Sequence, residues 1–150
     1  MSPNEWGPPT WTLLHTLAAK IKEERYPIVG QQLFQFIVQI CHNLPCPDCA
    51  LHARQFLARI NPNALTTKTS LKNVLYVFHN AVNKRKGKPL FSVDALDAAY
   101  QSKQVIPVFN EFARNYHTKG NMRLLSESFH RAQALKQFRH WLMHNLMSFD

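Results

Sequence analysis

Residues 29–49 read VGQQLFQFIVQICHNLPCPDC, a helical stretch that runs into a pair of cysteines. Apolar residues recur there every three or four positions, which is the spacing of one helix face; they are Leu33, Phe34, Ile37, Val38 and Cys41. Pro45 ends the pattern, because proline lacks the N–H that a helix needs. We therefore predict a helix from about Val29 to His42, followed directly by Cys46-Pro47-Asp48-Cys49.

The rest of the chain also has helical periodicity. It predicts further helices at about 8–26, 46–60, 69–85 and 92–101, the last one with Ser92 as its N-cap. Amphipathic spacing then continues through residues 104–150, with an interruption at Gly120-Asn121. We expect an all-α protein, because alternating strand patterns are not found between these stretches.

A chain of 150 residues is expected to form one domain with a sizeable core. We expect residues 1–103 to be the functional domain and residues 104–150 to be a helical extension packed on it. Apolar runs stay well below the roughly 20 residues that span a bilayer, and Met1–Pro9 lacks the pattern of a secretory signal. These features predict a cytoplasmic protein without a membrane partner.

The net charge of +9 predicts a surface that attracts anions. One tight basic cluster is formed by Lys84-Arg85-Lys86 and Lys88, whereas the basic residues of the last third are dispersed. We interpret the dispersed charges as solvated surface and expect no nucleic-acid partner. The alternative is a basic helical module that binds nucleic acid and uses its cysteine pair in a zinc site.

The cysteine pair indicates redox chemistry. Cys46 and Cys49 are one helical turn apart and follow Pro45, so both sulfurs are expected at a helix N-terminus. That position stabilises negative charge and is expected to depress a thiol pKa. Zinc is the alternative, and it would need two further ligands, for which His42, His52 and His79 are candidates. Cys41 lies on an apolar helix face and is interpreted as a buried structural residue.

A second motif, at residues 79–91, reads HNAVNKRKGKPLF. His79, Val82 and Asn83 share a helix face and offer a ring, an apolar contact and an amide. Lys84, Arg85 and Lys88 follow at the helix end, where cations suit the dipole and can meet a pyrophosphate. The glycine-rich fingerprint of Rossmann domains is missing, so a dinucleotide would be held between helices instead.

Three elements in this order resemble the Erv/ALR family of sulfhydryl oxidases. They are WGPPTW at residues 6–11 with Leu14-His15, the pair Cys46 and Cys49, and the motif at residues 79–91. The resemblance implies a four-helix bundle with a short fifth helix and FAD in the mouth of the bundle. It also implies an enzyme that forms disulfides in proteins and passes the electrons through FAD to O2, giving H2O2.

The resemblance assigns roles to individual residues. Cys49 would be the sulfur nearest the flavin, and Cys46 the outer sulfur that the substrate thiolate attacks. FAD contacts are implied for eleven positions: Gly7, Trp11, His15, His79, Asn80, Val82, Asn83, Lys84, Lys88, Phe91 and Tyr100. Among these, Gly7 would allow close approach, the two lysines would meet the phosphates, and Phe91 and Tyr100 would be aromatic neighbours of the flavin.

Many members of this family carry a second, shuttle pair of cysteines, which this sequence does not contain. We therefore expect Cys46 to receive electrons directly from a thiol-containing partner, either a thioredoxin-like protein or a virion protein. This layout is similar to the sulfhydryl oxidases of large cytoplasmic DNA viruses. The resemblance also implies a homodimer through the first two helices. Residues 104–150 have no counterpart in the smallest members of the family, and our hypothesis is that they widen the bundle or form a homodimer interface.

Overall fold

The computed structural model describes residues 3–116 and 122–150, which form seven α-helices. They are α1 Pro3–Lys20, α2 Tyr26–His42, α3 Pro47–Leu57, α4 Lys68–Arg85, α5 Val93–Tyr100, α6 Val105–Asn115 and α7 Met122–His144. Short 3₁₀ turns lie at Pro62–Ala64 and Leu146–Ser148. None of the helices in the described ranges is long and apolar enough to cross a bilayer. The predicted all-α class is confirmed.

Helix α1 differs most from its predicted bounds. It begins at Pro3 and so contains Pro8 and Pro9 in its interior, although proline normally marks a first turn. The earlier start brings Trp6 into the core, where it is 5% exposed. The helix ends at Lys20 rather than near Tyr26, because Ile21 leaves it to pair with Phe149 in an antiparallel bridge.

Side-chain caps set where the site-bearing helices begin. Thr67 and Ser70 form a reciprocal capping box at the start of α4. Ser92 caps α5 by accepting a hydrogen bond from the Ala95 N–H, as predicted. Cys46 is the N-cap of α3. These starting points fix which faces of α3 and α4 turn toward the bundle interior.

The core lies between α1, α2 and the helices that cover them. Helix α1 packs against α4, α5 and α6, and α2 packs against α3, α4 and α7. The fully buried side chains of the first helices include Leu13, Leu17, Leu33, Ile37 and Leu71. Because α1 contacts both α4 and α5, it stands at the centre of the region that carries the candidate site residues.

Residues after 104 contribute to this same core. Phe109 and Phe112 of α6 are buried, and the Phe109 ring stacks on Phe138 of α7 at 5.5 Å. The last residues return to α1, where Lys22 donates its backbone N–H to the Ser148 carbonyl at 2.8 Å. The expected break at Gly120-Asn121 lies outside the described residues. The boundary at residue 103 stays a prediction.

The burial of Phe109 predicts that α6 contributes strongly to stability. Replacing Phe109 with Ala removes a stacked ring from the core, and we expect the free energy of unfolding in urea to fall by about 3–5 kcal/mol. The control is Phe129→Ala on α7, whose side chain is 61% exposed and whose loss should cost less than about 0.5 kcal/mol. Equal effects of the two variants would contradict the packing of α6 in the core.

Candidate functional site

The cysteine pair occupies the first turn of α3. The Cys46 sulfur accepts a hydrogen bond from the Cys49 backbone N–H at 3.3 Å, as an N-cap side chain does. Both side chains are partly exposed, and both carry free thiols. A spacing of three residues brings the two sulfurs to the same helix face, so they are placed to form a disulfide.

The thiol pKa of Cys49 is raised, whereas the sequence predicted a depressed pKa. Burial, the neighbouring Cys46 thiol and its hydrogen bond raise the pKa of Cys49 to about 11, while the nearby cations of Lys86 and Arg85 act in the opposite direction. The expectation of a depressed pKa was therefore wrong for Cys49. Desolvation of this inner sulfur outweighs the charges beside it.

A narrow, largely apolar cavity of about 40 Å³ lies beside Cys49. Its walls come from α1, α2, α3 and α4, and they include Trp6, Trp11, Cys41, Phe78 and Val82. Arg85 and Lys86 lie at the same cavity. The inner sulfur thus faces a space lined by aromatic rings and two cations, whereas Cys46 is not among its lining residues.

A wider recess of about 340 Å³ adjoins this cavity and shares Gly7, Trp11, Val82 and Lys86 with it. A Cβ atom added at Gly7 would meet nothing within 4 Å, so this glycine borders open space. The remaining walls of the recess include one amide, three rings and a cation, which belong to Asn83, His79, Phe91, Tyr100 and Lys88. The two spaces together form an apolar slot beside Cys49 that leads to a basic, polar recess.

Two buried histidines join α1 to α4 within this region. His15 Nε2 and His79 Nδ1 lie 2.8 Å apart, so one ring donates a hydrogen bond and the other accepts it. Burial lowers the pKa of His15 to about 4. Burial, the neighbouring His15 ring, which would repel a second proton, and the Lys88 cation lower the pKa of His79 to about 3. Both rings are therefore neutral near pH 7. Trp11 stacks on His79 at 3.9 Å, and Tyr100 stacks on His15 at 5.0 Å.

Two asparagines fold the segment after α4 back onto the helix. Asn80 Nδ2 donates to the Phe91 carbonyl at 3.0 Å, and its Oδ1 accepts from the Phe91 N–H at 3.2 Å. Asn83 Nδ2 donates to the Pro89 carbonyl at 3.3 Å. Gly87, with φ of +69°, makes the turn in the left-handed region that glycine adopts readily. The fold-back places Lys88 and Phe91 at the recess.

Most of the predicted cofactor residues lie around these cavities. Eight of them line the slot or the recess: Gly7, Trp11, His79, Val82, Asn83, Lys88, Phe91 and Tyr100. His15 lines a third cavity, of about 200 Å³, which shares Tyr100 with the recess. Asn80 holds the Phe91 backbone, and Lys84 is exposed and is not among the lining residues. A contact of either residue with the cofactor stays a prediction.

Lys86 is the lining cation that the sequence prediction missed. It borders both the slot beside Cys49 and the wider recess. A signal was present, because Lys86 follows Val82 by four residues and Asn83 by three, and such positions share a helix face. Lys84 follows Val82 by only two residues, which turns it away from that face.

The alternative of a zinc site finds no support in the described ranges, which contain no cluster of three or more His, Cys, Asp or Glu side chains placed to hold a metal.

Several known proteins are similar to this chain. An FAD-linked sulfhydryl oxidase of African swine fever virus is 32% identical over 87 residues, which cover 58% of this chain and 72% of the viral protein. The FAD-linked sulfhydryl oxidase ERV1 of Oryza sativa is 30% identical over 100 residues, which cover 67% of this chain and 51% of the rice protein. The mitochondrial FAD-linked sulfhydryl oxidase erv1 of Schizosaccharomyces pombe is 34% identical over 89 residues, which cover 59% of this chain and 49% of the yeast protein.

The similarity therefore spans about half the length of the plant and yeast relatives and a larger share of the viral one. No solved structure matches the chain. Residues 8–103 match the model of the Erv1 / Alr family, a range that contains the cysteine pair and the motif at residues 79–91. The chain belongs to the Erv1 / Alr family.

Proposed function

We propose that this protein is an FAD-dependent thiol oxidase that forms disulfide bonds in protein substrates through Cys46 and Cys49. The observation that carries the proposal is the position of Cys49, which borders an apolar slot that adjoins a basic recess. The slot, at about 40 Å³, is smaller than an isoalloxazine ring, so a flat ring system would lie in the adjoining recess and reach this sulfur with its edge, where the two spaces share their walls. The relatives named as FAD-linked sulfhydryl oxidases support the same activity.

The residues around the two cavities fit FAD. Trp11 and Phe78 offer ring faces and Val82 an apolar contact at the slot, as a flat isoalloxazine ring requires. Lys86 and Lys88 at the recess offer cations for a pyrophosphate. His79, Asn83 and Tyr100 supply stacking and hydrogen-bonding groups for a nucleoside. When bound, FAD supplies the two-electron chemistry that connects thiols to O2.

The cysteines exchange disulfides with the substrate. A substrate thiolate attacks the Cys46 sulfur of the Cys46–Cys49 disulfide, forms a mixed disulfide and releases Cys49 as a thiolate. A second substrate thiolate then attacks the substrate sulfur of the mixed disulfide, which frees Cys46 and leaves the substrate oxidised. Two electrons have now moved from the substrate to the cysteine pair, and the two protons of the substrate thiols are balanced by those that the Cys46 and Cys49 thiolates take up to become thiols.

The electrons leave the pair through Cys49, because this sulfur and not Cys46 borders the slot. Its raised pKa keeps reduced Cys49 protonated near pH 7, so a proton has to leave with the electrons. Arg85 and Lys86 lie close enough to favour the thiolate that then forms. The acceptor of the electrons is O2, and H2O2 is the product.

We further propose a thiol-containing protein partner, thioredoxin-like or from a virion, and a cytoplasmic location. The partner would deliver electrons directly at Cys46, which is partly exposed at the N-terminus of α3. The functional domain would comprise residues 1–103, with residues 104–150 as an extension on the same core. The single redox pair in the sequence supports direct delivery of electrons at Cys46.

We also propose a homodimer, and residues 104–150 limit which surfaces of the first two helices it can use. Helix α6 packs on α1 and α7 packs on α2 within one chain. A dimer through the first two helices would therefore use the surfaces of α1 and α2 that α6 and α7 leave exposed. Ile28 of α2, which is 61% exposed, belongs to such a surface.

Replacing Cys49 with Ser is expected to abolish O2 consumption with dithiothreitol, because the electrons would lose their route out of the pair. The purified variant should still absorb at about 450 nm as a flavoprotein does. That absorbance is the control for folding and FAD retention. Turnover equal to that of the wild type would refute the role of Cys49.

Lys86 should matter more than Lys84 for holding FAD. Lys86→Met removes a cation from both cavities, and we expect the dissociation constant of FAD, measured by fluorescence titration, to rise about tenfold. Lys84→Met is the matched variant, one that removes the same charge from the exposed face of α4. A larger loss with Lys84→Met would favour the sequence-based assignment over the structural one.

The buried histidine pair predicts how stability depends on pH. Because the folded state lowers both histidine pKa values, the unfolded chain binds more protons below about pH 6.5, and the free energy of unfolding should fall as the pH drops from about 6.5 to about 4. Denaturant unfolding across this range measures the slope. His15→Gln should flatten it, and His144→Gln, at an exposed position of α7, should not. An unchanged slope in His15→Gln would contradict the assignment.

A further inference from the structure

The loop that leads from α2 into the cysteine pair is held by side chains from other helices. Helix α2 ends at His42, and residues 43–45 connect it to Cys46. The last carbonyls of a helix lack partners within the helix. Here they receive donors from α3 and from the residues after 104.

Arg131 of α7 is the central donor to this loop. Its side chain is 2% exposed, and its Nη1 lies 3.4 Å from the Asn43 carbonyl and 3.5 Å from the Leu44 carbonyl. A cation at a helix C-terminus is favourable for the helix dipole. Burial lowers the pKa of Arg131, and the nearby Tyr116 and Glu127 act in the opposite direction.

Two further contacts complete the support. The Tyr116 hydroxyl, directly after α6, donates to the Ile40 carbonyl at 2.8 Å. Arg54 Nη2 of α3 donates to the His42 carbonyl at 3.0 Å. Tyr116 and Arg131 both lie outside residues 8–103, the range that matches the family. The end of α2 is thus held by residues that the family match does not include.

The held loop forms part of the site. Leu44, whose carbonyl faces Arg131, also lines the slot beside Cys49. Cys46 follows Leu44 by two residues, and its sulfur caps α3 by accepting a hydrogen bond from the Cys49 N–H. A shift of the carbonyls of Asn43 and Leu44 would therefore move the outer sulfur relative to the inner one.

We propose that Arg131 is a positioning residue for the redox pair, and that it fixes the 43–45 loop so that the Cys46 sulfur stays within bonding reach of Cys49. The inference rests on the proposed redox role of the two cysteines. Arg131 does not touch the substrate or the reacting atoms. It acts through the backbone of Asn43 and Leu44.

The position of the loop governs how readily the two thiols join. In the exchange with glutathione disulfide, the Cys46–Cys49 dithiol loses two electrons and two protons, an S–S bond forms between the cysteines, and two glutathione thiols are released. Ring closure of this kind depends on the effective concentration of one thiol at the other. Loss of Arg131 leaves two carbonyls without their donor, so the loop relaxes and this concentration falls.

The test is the equilibrium between the FAD-loaded full chain and glutathione buffers without oxygen. The fraction of Cys46–Cys49 disulfide is read by thiol alkylation and mass spectrometry. For Arg131→Met we expect the equilibrium constant for disulfide formation to fall about tenfold, which equals about 30 mV. Arg131→Lys keeps the charge but loses the planar fork, and it should recover part of the loss, to within about threefold of the wild type.

Two controls separate positioning from general stability. Arg139→Met makes the same substitution on α7, where the guanidinium lies over the Phe109 ring at 5.4 Å, and it should keep the wild-type constant. Phe109→Ala lowers the melting temperature through the core and should also leave the constant unchanged. If Arg131 acts by positioning, the equilibrium constant for disulfide formation changes in the Arg131 variants and stays unchanged in Arg139→Met and Phe109→Ala.

The outcomes are distinct. Folded Arg131→Met with the wild-type equilibrium constant would overturn the inference. If Arg131→Met does not fold, Arg131→Lys decides, and a constant identical to that of the wild type would overturn it equally. A wild-type chain that forms no Cys46–Cys49 disulfide in any buffer would instead defeat the proposed function.

Discussion

The packing of α1 against α4 is the contact on which the site depends. It brings His15 within 2.8 Å of His79, a residue 64 positions later in the chain, and stacks Trp11 on the same ring. Because both histidines are buried and neutral, the contact costs no buried charge. The cavity beside Cys49 and the wider recess both have walls from these two helices. Without this contact the motif at residues 79–91 would not face the N-terminal aromatic residues.

The second requirement is a cysteine pair that faces two environments. Both cysteines are partly exposed, but only Cys49, one turn into the helix, borders the largely apolar slot. Burial raises the pKa of the inner thiol, and cations of the basic cluster moderate that effect. This difference supports the proposal that Cys46 reacts with the substrate and Cys49 with the cofactor.

Local rules predicted the parts of the fold that local interactions determine. The end of α2 at His42 and the cap of α5 at Ser92 follow from proline and serine chemistry, and both were predicted from sequence. The start of α1 was not, because the tertiary burial of Trp6 outweighs the preference of proline for a first turn. Lys86 was missed although helical spacing contains the signal. The hydrogen bonds from Arg131 to the loop before Cys46 join residues that are separated by 87 and 88 positions in the sequence. No local pattern predicts such a contact.

The most direct test of thiol oxidation through a flavin is the absorbance spectrum of the purified protein. It is recorded without oxygen before and after addition of a dithiol, and again after air is admitted. We expect a band at about 450 nm that bleaches with the dithiol and returns with air, since the electrons pass from thiol to flavin to O2. A colourless protein with a metal ion bound at Cys46 and Cys49 would contradict the account.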